Sequence, residues 1–456
     1  MMRKVCSVLV TLSMMMALLV SCGGGTGDTS SNTASGNTNN TDMFSETIRD
    51  LDGKTIKLAS FWADWTGGES ASVEQQECAK ALEAIQKDYN CKIELITLTD
   101  TYTQDINTAI ASGTIYANIL EMQSEHLTLA SGGNLMNVKE IKNLEIQKNK
   151  WDTDAAQATS IGDKQYGVGF LMPQQQSTNR NVLVFNKELV NQYSLGNFYE
   201  MVQKGEWTFD KFTSVCQDVV TKSNGAVQGM IDQYGQGNHF IFANATSPLA
   251  LKDNKYQFNG MDEKVLRALQ FLQDYNKKGL YDIKDYVGKD YGLTESNVFM
   301  SRKTLFFNTD YWTVPQIFAS GMPDDYGVLP FPKGPDAEDY TTIVTNSRYF
   351  SFIKGDPDIE DAATIMVAIA NRCHLTNEEW IQKQAETALR DDESIEMLEL
   401  ILNSPSANTS ANSPLGLDYI VATNDVIYDM SKTPKQAMEG IAEACQAKVD
   451  EYYGQK

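Results

Sequence analysis

From residue 51 onward, apolar positions recur with a period of two in short runs and of three to four in longer ones, and the two kinds alternate. Thr55-Ile56-Lys57-Leu58-Ala59 reads as a strand and leads into Phe61-Trp62. A helix follows, with Ser72 and Gln75 spaced as a capping box ahead of Ala81, Leu82 and Ile85. Cys91 to Leu98 predicts a second strand with Ile93, Leu95 and Leu98 turned inward. Residues 103–112 read as helix, and Asn118-Ile119-Leu120-Glu121-Met122 as a short third strand. Strands alternating with helices predict parallel pairing in an α/β layer.

A second series starts near Tyr166-Gly167-Val168-Gly169-Phe170. It runs through a strand at Val182–Asn186, a helix at Lys187–Tyr193 and, after Trp207-Thr208-Phe209-Asp210, a helix to about Thr221. Asp262 to Lys278 is strongly amphipathic, with Val265, Leu266, Leu269, Leu272 and Tyr275 on one stripe. Strands are expected at Thr304–Asn308 and Tyr326–Phe331, and Pro330, Pro332 and Pro335 punctuate the turn after them. Two more strands, 340–346 and 349–353, precede a helix at 359–371 and another that starts at Thr376 with Glu379 completing a capping box. The remainder to Tyr453 reads mainly as helix, and no fixed-period repeat occurs.

The N-terminus departs from this pattern. Met1-Met2-Arg3-Lys4 is basic, and Val5 to Leu19 is a mostly apolar run. About 15 residues is short for a bilayer span and reads as the apolar core of an export signal. Leu19-Val20-Ser21-Cys22 resembles the lipobox of bacterial lipoproteins, in which the Cys becomes the mature N-terminus and carries lipid. Residues 1–21 are thus expected to be removed and Cys22 to be anchored to the outer face of the cell membrane. An ordinary secretory signal with a chance Cys is the alternative. Residues 23 to about 44 are Gly, Ser, Thr and Asn with almost nothing apolar, so 22–45 is expected to be a flexible tether. As a random coil about 22 residues reach roughly 25–28 Å, and about 70 Å when extended.

Charge and chemistry narrow the partners. The chain has 38 basic and 60 acidic residues; Arg3 and Lys4 leave with the signal, so the mature balance is 36 against 60, or −24. Such a surplus repels nucleic acid and anionic lipid and suits a neutral or cationic ligand. Beyond Cys22 the cysteines are Cys78, Cys91, Cys216, Cys373 and Cys445, with no CxxC, and the only histidines are His126, His239 and His374. No zinc site follows from that spacing. Cys78 and Cys91 can be imagined as a bridge, but buried free thiols are the preferred reading. No cofactor or metal is implied.

Five segments then carry a resemblance. Gly162-Asp163-Lys164-Gln165-Tyr166-Gly167-Val168 resembles a "G-K-x-Y-G-V-P" step, and Val182 to Leu189 an "L-x-Y-N-K-x-L" strand and helix. Glu206 to Phe212 matches a "P-x-T-W-D-E-F" helix entry. Asn297 to Trp312 resembles "F-x-x-G-K-A-A-M-x-x-x-G-x-W", and Tyr326 to Pro335 a "G-V-x-P-x-P-x-G-P" turn. In this order they resemble the family 1 extracellular solute-binding proteins, the sugar-binding components of ABC importers related to maltose-binding protein. Two departures stand out: Gly169 replaces the hinge proline, and Ser301-Arg302-Lys303 replaces the usual Gly-Lys step.

The resemblance implies an α/β, two-lobed periplasmic-binding-protein-like fold (type II), each lobe a sheet flanked by helices. The expected boundaries are 46–173 with 346–403 for the N-terminal lobe and 174–345 with 404–456 for the C-terminal lobe. Crossover strands near 170–176 and 343–348 would form a hinge, and the cleft would bind a carbohydrate, expected to be an oligosaccharide, for delivery to the permease subunits of an ABC importer. A monomer, with no nucleic-acid partner, is expected.

A sugar offers apolar C–H faces and a rim of hydroxyls, so its site needs aromatic platforms beside paired donors and acceptors. Such groups should sit at strand ends facing the cleft. Trp62, Asp64 and Trp65 follow the first strand; the alternative is that one of the two indoles packs the core. Gln123 and Glu125 follow the third strand, where helix capping beside His126 is the alternative. Asn308, Asp310 and Trp312 form a second cluster by family analogy, with N-capping the alternative for Asp310. Gln174, with Gln175, Gln176 and Arg180, lies in the hinge; Asn238 and His239 lie in an aromatic-flanked loop; Asn346 and Arg348 either touch ligand or brace the second crossover. Trp207 reads as packing.

Other functions compete. A surface glycoside hydrolase needs two carboxylates at a set separation, and Asp64 with Asp310 is the one pair in view. No GxSxG, HExxH or P-loop signature accompanies it. The same fold can also bind a peptide, polyamine or other polar solute, or serve a sensor.

Overall fold

The computed structural model describes residues 43–454 except 63–64, 69–72, 124, 171–179, 234–237, 254, 281–292, 320, 345–347 and 409–413. The export signal, Cys22, most of the tether, Asp64, Gln174, Gln175, Gln176 and Asn346 lie outside the described residues, as does the side chain of Glu125.

Two four-stranded sheets organise the chain. In the first, strand Thr55–Ser60 pairs in parallel with Lys92–Thr97 on one side and Ile119–Met122 on the other. Tyr349–Ser351 then joins the edge antiparallel to Ile119–Met122, so a segment from far along the chain completes the sheet. The inner strand Ile119–Met122 is buried along its whole length, whereas Thr55–Ser60 and the edge strand Lys92–Thr97 keep polar residues between their apolar ones. Ile56, Leu58, Ile93, Ile119 and Phe350 pack on one face with helices Val73–Asp88 and Ile359–Cys373. Ala59, Leu120 and Met122 pack on the other with Tyr102 and Ile106.

The edge position of Lys92–Thr97 corrects one expectation. Ile93 is buried, but Leu95 on the same face is 38% exposed, because the cover over this edge strand ends before reaching it.

In the second sheet Asn181–Asn186 is central, antiparallel to both Thr304–Asp310 and Tyr326–Leu329; Gln228–Asp232 runs parallel to Thr304–Asp310 at the far edge. Alternation along Asn181–Asn186 sends Leu183 and Phe185 into one core and Val182 and Val184 into the other. Trp207 fills the first of these cores, fully buried, as its packing reading expects. The amphipathic helix Glu263–Lys277 starts at Asp262, whose side chain accepts from the Lys264 amide, and buries Val265, Leu269, Leu272 and Tyr275 there too.

Helices Asn377–Thr387 and Asp392–Asn403 pack on the second sheet, whereas the expected boundary of 346–403 assigns them to the first lobe. Trp380, Ile381, Leu398 and Ile401 share a core with Val182, Val184 and Phe307, and the Trp380 and Tyr311 rings meet at 5.2 Å. The chain therefore returns to the second lobe across His374–Thr376, directly after Ile359–Cys373. Thr376 forms the expected capping box with Glu379. Nearby, strand Thr342–Val344 pairs with Ser406–Asn408, and Arg180 forms a β-bridge with Val344.

The five cysteines of the body are free thiols. Cys78 does not pair with Cys91; a hydrogen bond with Cys78, together with burial, holds the Cys373 thiol well above its usual range. Burial does the same to Cys216. These are packing groups and unreactive as thiolates.

Candidate functional site

The C-terminal end of strand Thr55–Ser60 makes a tight turn in which the Trp62 amide donates to Ser60 Oγ at 3.0 Å. The turn leaves Trp62 half-buried, with Phe61 against its edge at a centroid distance of 5.9 Å. Phe61 is held in turn by the buried ring of Tyr102 at 4.8 Å. The guanidinium carbon of Arg348 stands 3.6 Å from the centroid of the Trp62 ring. One face of the indole is thus covered by a planar cation.

Arg348 is itself 2% exposed and sits just ahead of strand Tyr349–Ser351. Its Nη1 donates to Oε1 of Glu121 at 3.2 Å, and the Trp65 indole N–H donates to Oε2 of the same carboxylate at 2.7 Å. Glu121 is wholly buried in strand Ile119–Met122. Two indoles, one cation and one acid therefore form a single network at the strand ends. Trp65 is 2% exposed and packs on Phe350, so it supports the network from the core. Gln123, just past the strand, is half-buried, and Glu125 opens helix Glu125–Ser131.

The second cluster is built at the C-terminal end of Thr304–Asp310 and its parallel neighbour. Asn308 faces Asp232 in register and donates to its Oδ2 at 2.6 Å. His239 Nδ1 lies 3.1 Å from Asn308 Nδ2 and 3.6 Å from Asp232 Oδ2. Beside them Gln233 Oε1 accepts from Thr309 Oγ1 at 2.5 Å and from the Asp310 amide at 3.3 Å. Asn308, Asp310 and His239 are all buried, and Asn238 accepts from the Tyr419 hydroxyl at 2.8 Å. Trp312 is half-buried, next to Tyr311, whose ring is fully buried and whose phenol burial pushes well up, with Tyr326 adding to the effect. Trp312 is therefore the aromatic of this segment with ring surface to offer, and Asn308, Asp232, His239, Thr309 and Gln233 form a buried hydrogen-bonded network at the end of the strand that precedes it.

The structure thus divides the expected residues into half-exposed aromatics, Trp62 and Trp312, and buried supports, Trp65, Asn308, Asp310, His239 and Arg348. Glu121, Asp232 and Gln233 were absent from the expectation. The signal for Glu121 was present: an acid inside an otherwise apolar strand needs a partner. A separate cavity of about 750 Å³ is lined among others by Phe44, Trp151, Phe170, Arg180 and His374, so that of the residues expected around 174–180 Arg180 faces it. Among the described residues, no group of three His, Cys, Asp or Glu is placed to hold a metal ion, and no helix is long and apolar enough to cross a membrane.

Residues 71–367 match the family model described as bacterial extracellular solute-binding protein, and the chain belongs to that family. An extracytoplasmic location follows from the family. Solved structures share the fold. The cyclic α-maltosyl-1,6-maltose binding protein of Arthrobacter globiformis aligns with a TM-score of 0.64 at 13% identity, covering 87% of this chain and 98% of its own. The GacH receptor of Streptomyces glaucescens, studied unliganded and with acarbose, gives 0.59 at 13%, covering 87% and 99%. An ABC substrate-binding protein of Listeria monocytogenes in complex with cycloalternan gives 0.58 at 15%, covering 88% and 100%. No curated protein sequence matches the chain.

Proposed function

We propose that this protein captures an oligosaccharide in a cleft between its lobes and delivers it to an ABC importer while leashed to the membrane through Cys22. The observation that carries the reading is the half-exposed indole just past the strand ends of each sheet, Trp62 on the first, seated on the buried Arg348, and Trp312 on the second, two residues after the buried, hydrogen-bonded end of strand Thr304–Asp310. Flat aromatic surface beside fixed polar groups matches the C–H faces and hydroxyl rim of a sugar. Structural neighbours bound to acarbose and cycloalternan support the same ligand class.

The mechanism is one of selection between states. A ligand that touches both lobes binds the closed form better than the open one, and that difference alone drives closure about the hinge. No bond is made or broken, and family and neighbours are binding proteins. The tether of residues 22–45 would hold the body within reach of a permease. Sensing by the same closure is the related alternative.

Calorimetric titration of the mature chain with maltotetraose, mannotriose, simple monosaccharides, a polyamine and a short peptide tests the ligand class. Saturable binding of an oligosaccharide is expected, without product on prolonged incubation. Binding confined to the amine or peptide would refute the sugar reading; the mature chain's net charge of −24, 36 basic against 60 acidic residues, makes the amine the informative competitor. Turnover of a sugar would refute the binding-only mechanism.

A further inference from the structure

We infer that Arg348 is a positioning residue, which holds the Trp62 indole as a preset platform for ligand while Glu121 fixes the guanidinium beneath it. The inference rests on the reading of Trp62 as a ligand contact and adds what makes that contact effective.

Three observations carry it. The guanidinium lies 3.6 Å from the centre of the indole, a stacking distance that covers one ring face. Trp62 nevertheless stays half-exposed, so the surface open to a ligand is what the guanidinium leaves uncovered. Arg348 and Glu121 have side-chain exposures of 1% and 0% and meet at 3.2 Å, and Trp65 occupies the other carboxylate oxygen.

Burying such a pair is costly, and apolar residues of similar volume often stabilise a core as well or better. The pair is therefore poorly explained as a stability device. Its geometry accounts for it: a planar guanidinium can lie flat on an indole while its edge reaches a carboxylate, whereas a lysine ammonium is a point charge with no flat face to hold the ring. Trp62 lies past the strand, where an unsupported ring would sample several rotamers and lose that freedom on binding. Seated on Arg348, it has lost the freedom in advance.

The test uses the mature protein and Arg348→Lys, which keeps a cation for Glu121 and so preserves the fold. The ligand-free readout is the emission of Trp62, one of six tryptophans, isolated as the difference between each protein and its Trp62→Phe counterpart. Arg348→Lys is expected to change that difference spectrum and make Trp62 more open to acrylamide quenching; an unchanged spectrum and quenching would overturn the inference.

The binding readout is a double-mutant cycle with maltotetraose, or with mannotriose if that binds more tightly. Arg348→Lys is expected to weaken binding about fivefold to tenfold, the scale of a desolvated cation–π contact and an immobilised side chain. In a Trp62→Ala background the same change should have almost no further effect. Equal loss in both backgrounds would show that Arg348 acts without Trp62 and overturn the inference alone. If Trp62→Ala by itself leaves affinity intact, the ligand contact assigned to Trp62 fails, and the positioning role fails with it.

Discussion

Arg348→Met is expected to lower the unfolding free energy by about 3–5 kcal/mol, because it leaves the wholly buried Glu121 carboxylate without its cation. The Trp65 N–H at 2.7 Å is then a neutral donor facing a charge it cannot balance. Replacing both partners, Arg348→Met with Glu121→Leu, removes the stranded charge and should recover most of the loss. Urea unfolding followed by circular dichroism compares the three proteins. A single variant within about 1 kcal/mol of wild type, or a double variant no better than the single, would contradict the buried-pair account.

Trp207→Ala should be comparably severe in the other lobe, at about 3–5 kcal/mol. The side chain is fully buried, tilted against Phe198 at 5.4 Å and Phe306 at 5.7 Å and edge-on to Phe212 at 5.9 Å, and its N–H donates to the Pro330 carbonyl at 3.1 Å. Truncation removes the ring from the core under the second sheet and strands that carbonyl. A melt should show the loss, while ligand affinity well below the transition stays close to wild type. A fall in affinity without a fall in stability would place Trp207 in the ligand site instead.

The contrast between Trp207 and Trp62 shows what the sequence made legible. Periodicity is local, so the strands at 55–60, 92–97, 119–122, 181–186 and 304–310 and the helices at 73–88, 102–111, 187–193, 209–222 and 263–277 could be read directly, whereas strand 228–232 and the short helices at 125–131, 153–158, 198–203, 238–243 and 293–300 were not. The helix-entry pattern around Trp207 marked it as core for the same reason. Which sheet a helix covers is not local. Helices 377–387 and 392–403 are apolar on one face wherever they pack, and their shared core with Val182, Val184, Phe307 and Tyr311 is what reveals the second sheet as their partner. Leu95 shows the same limit, since alternation gives its face but not how far the cover over an edge strand extends.

The candidate site followed that pattern. Aromatic residues past strand ends could be picked out, but not which of Trp62 and Trp65 turns inward, because that depends on Glu121 and Arg348, 227 positions apart in sequence. The same distance hid the ion pair. Asp232 and His239 likewise meet Asn308 only through the parallel pairing of their strands.

The central claim is that one ligand is held by both lobes, and two substitutions, one per lobe, test it most directly. Calorimetry with maltotetraose, or mannotriose if that binds more tightly, should show Trp62→Ala and Trp312→Ala each weakening binding by about 1 kcal/mol or more, the scale of a lost aromatic stack. Neither indole is fully buried, so both variants should keep the fold. Unchanged affinity in both variants would contradict the account.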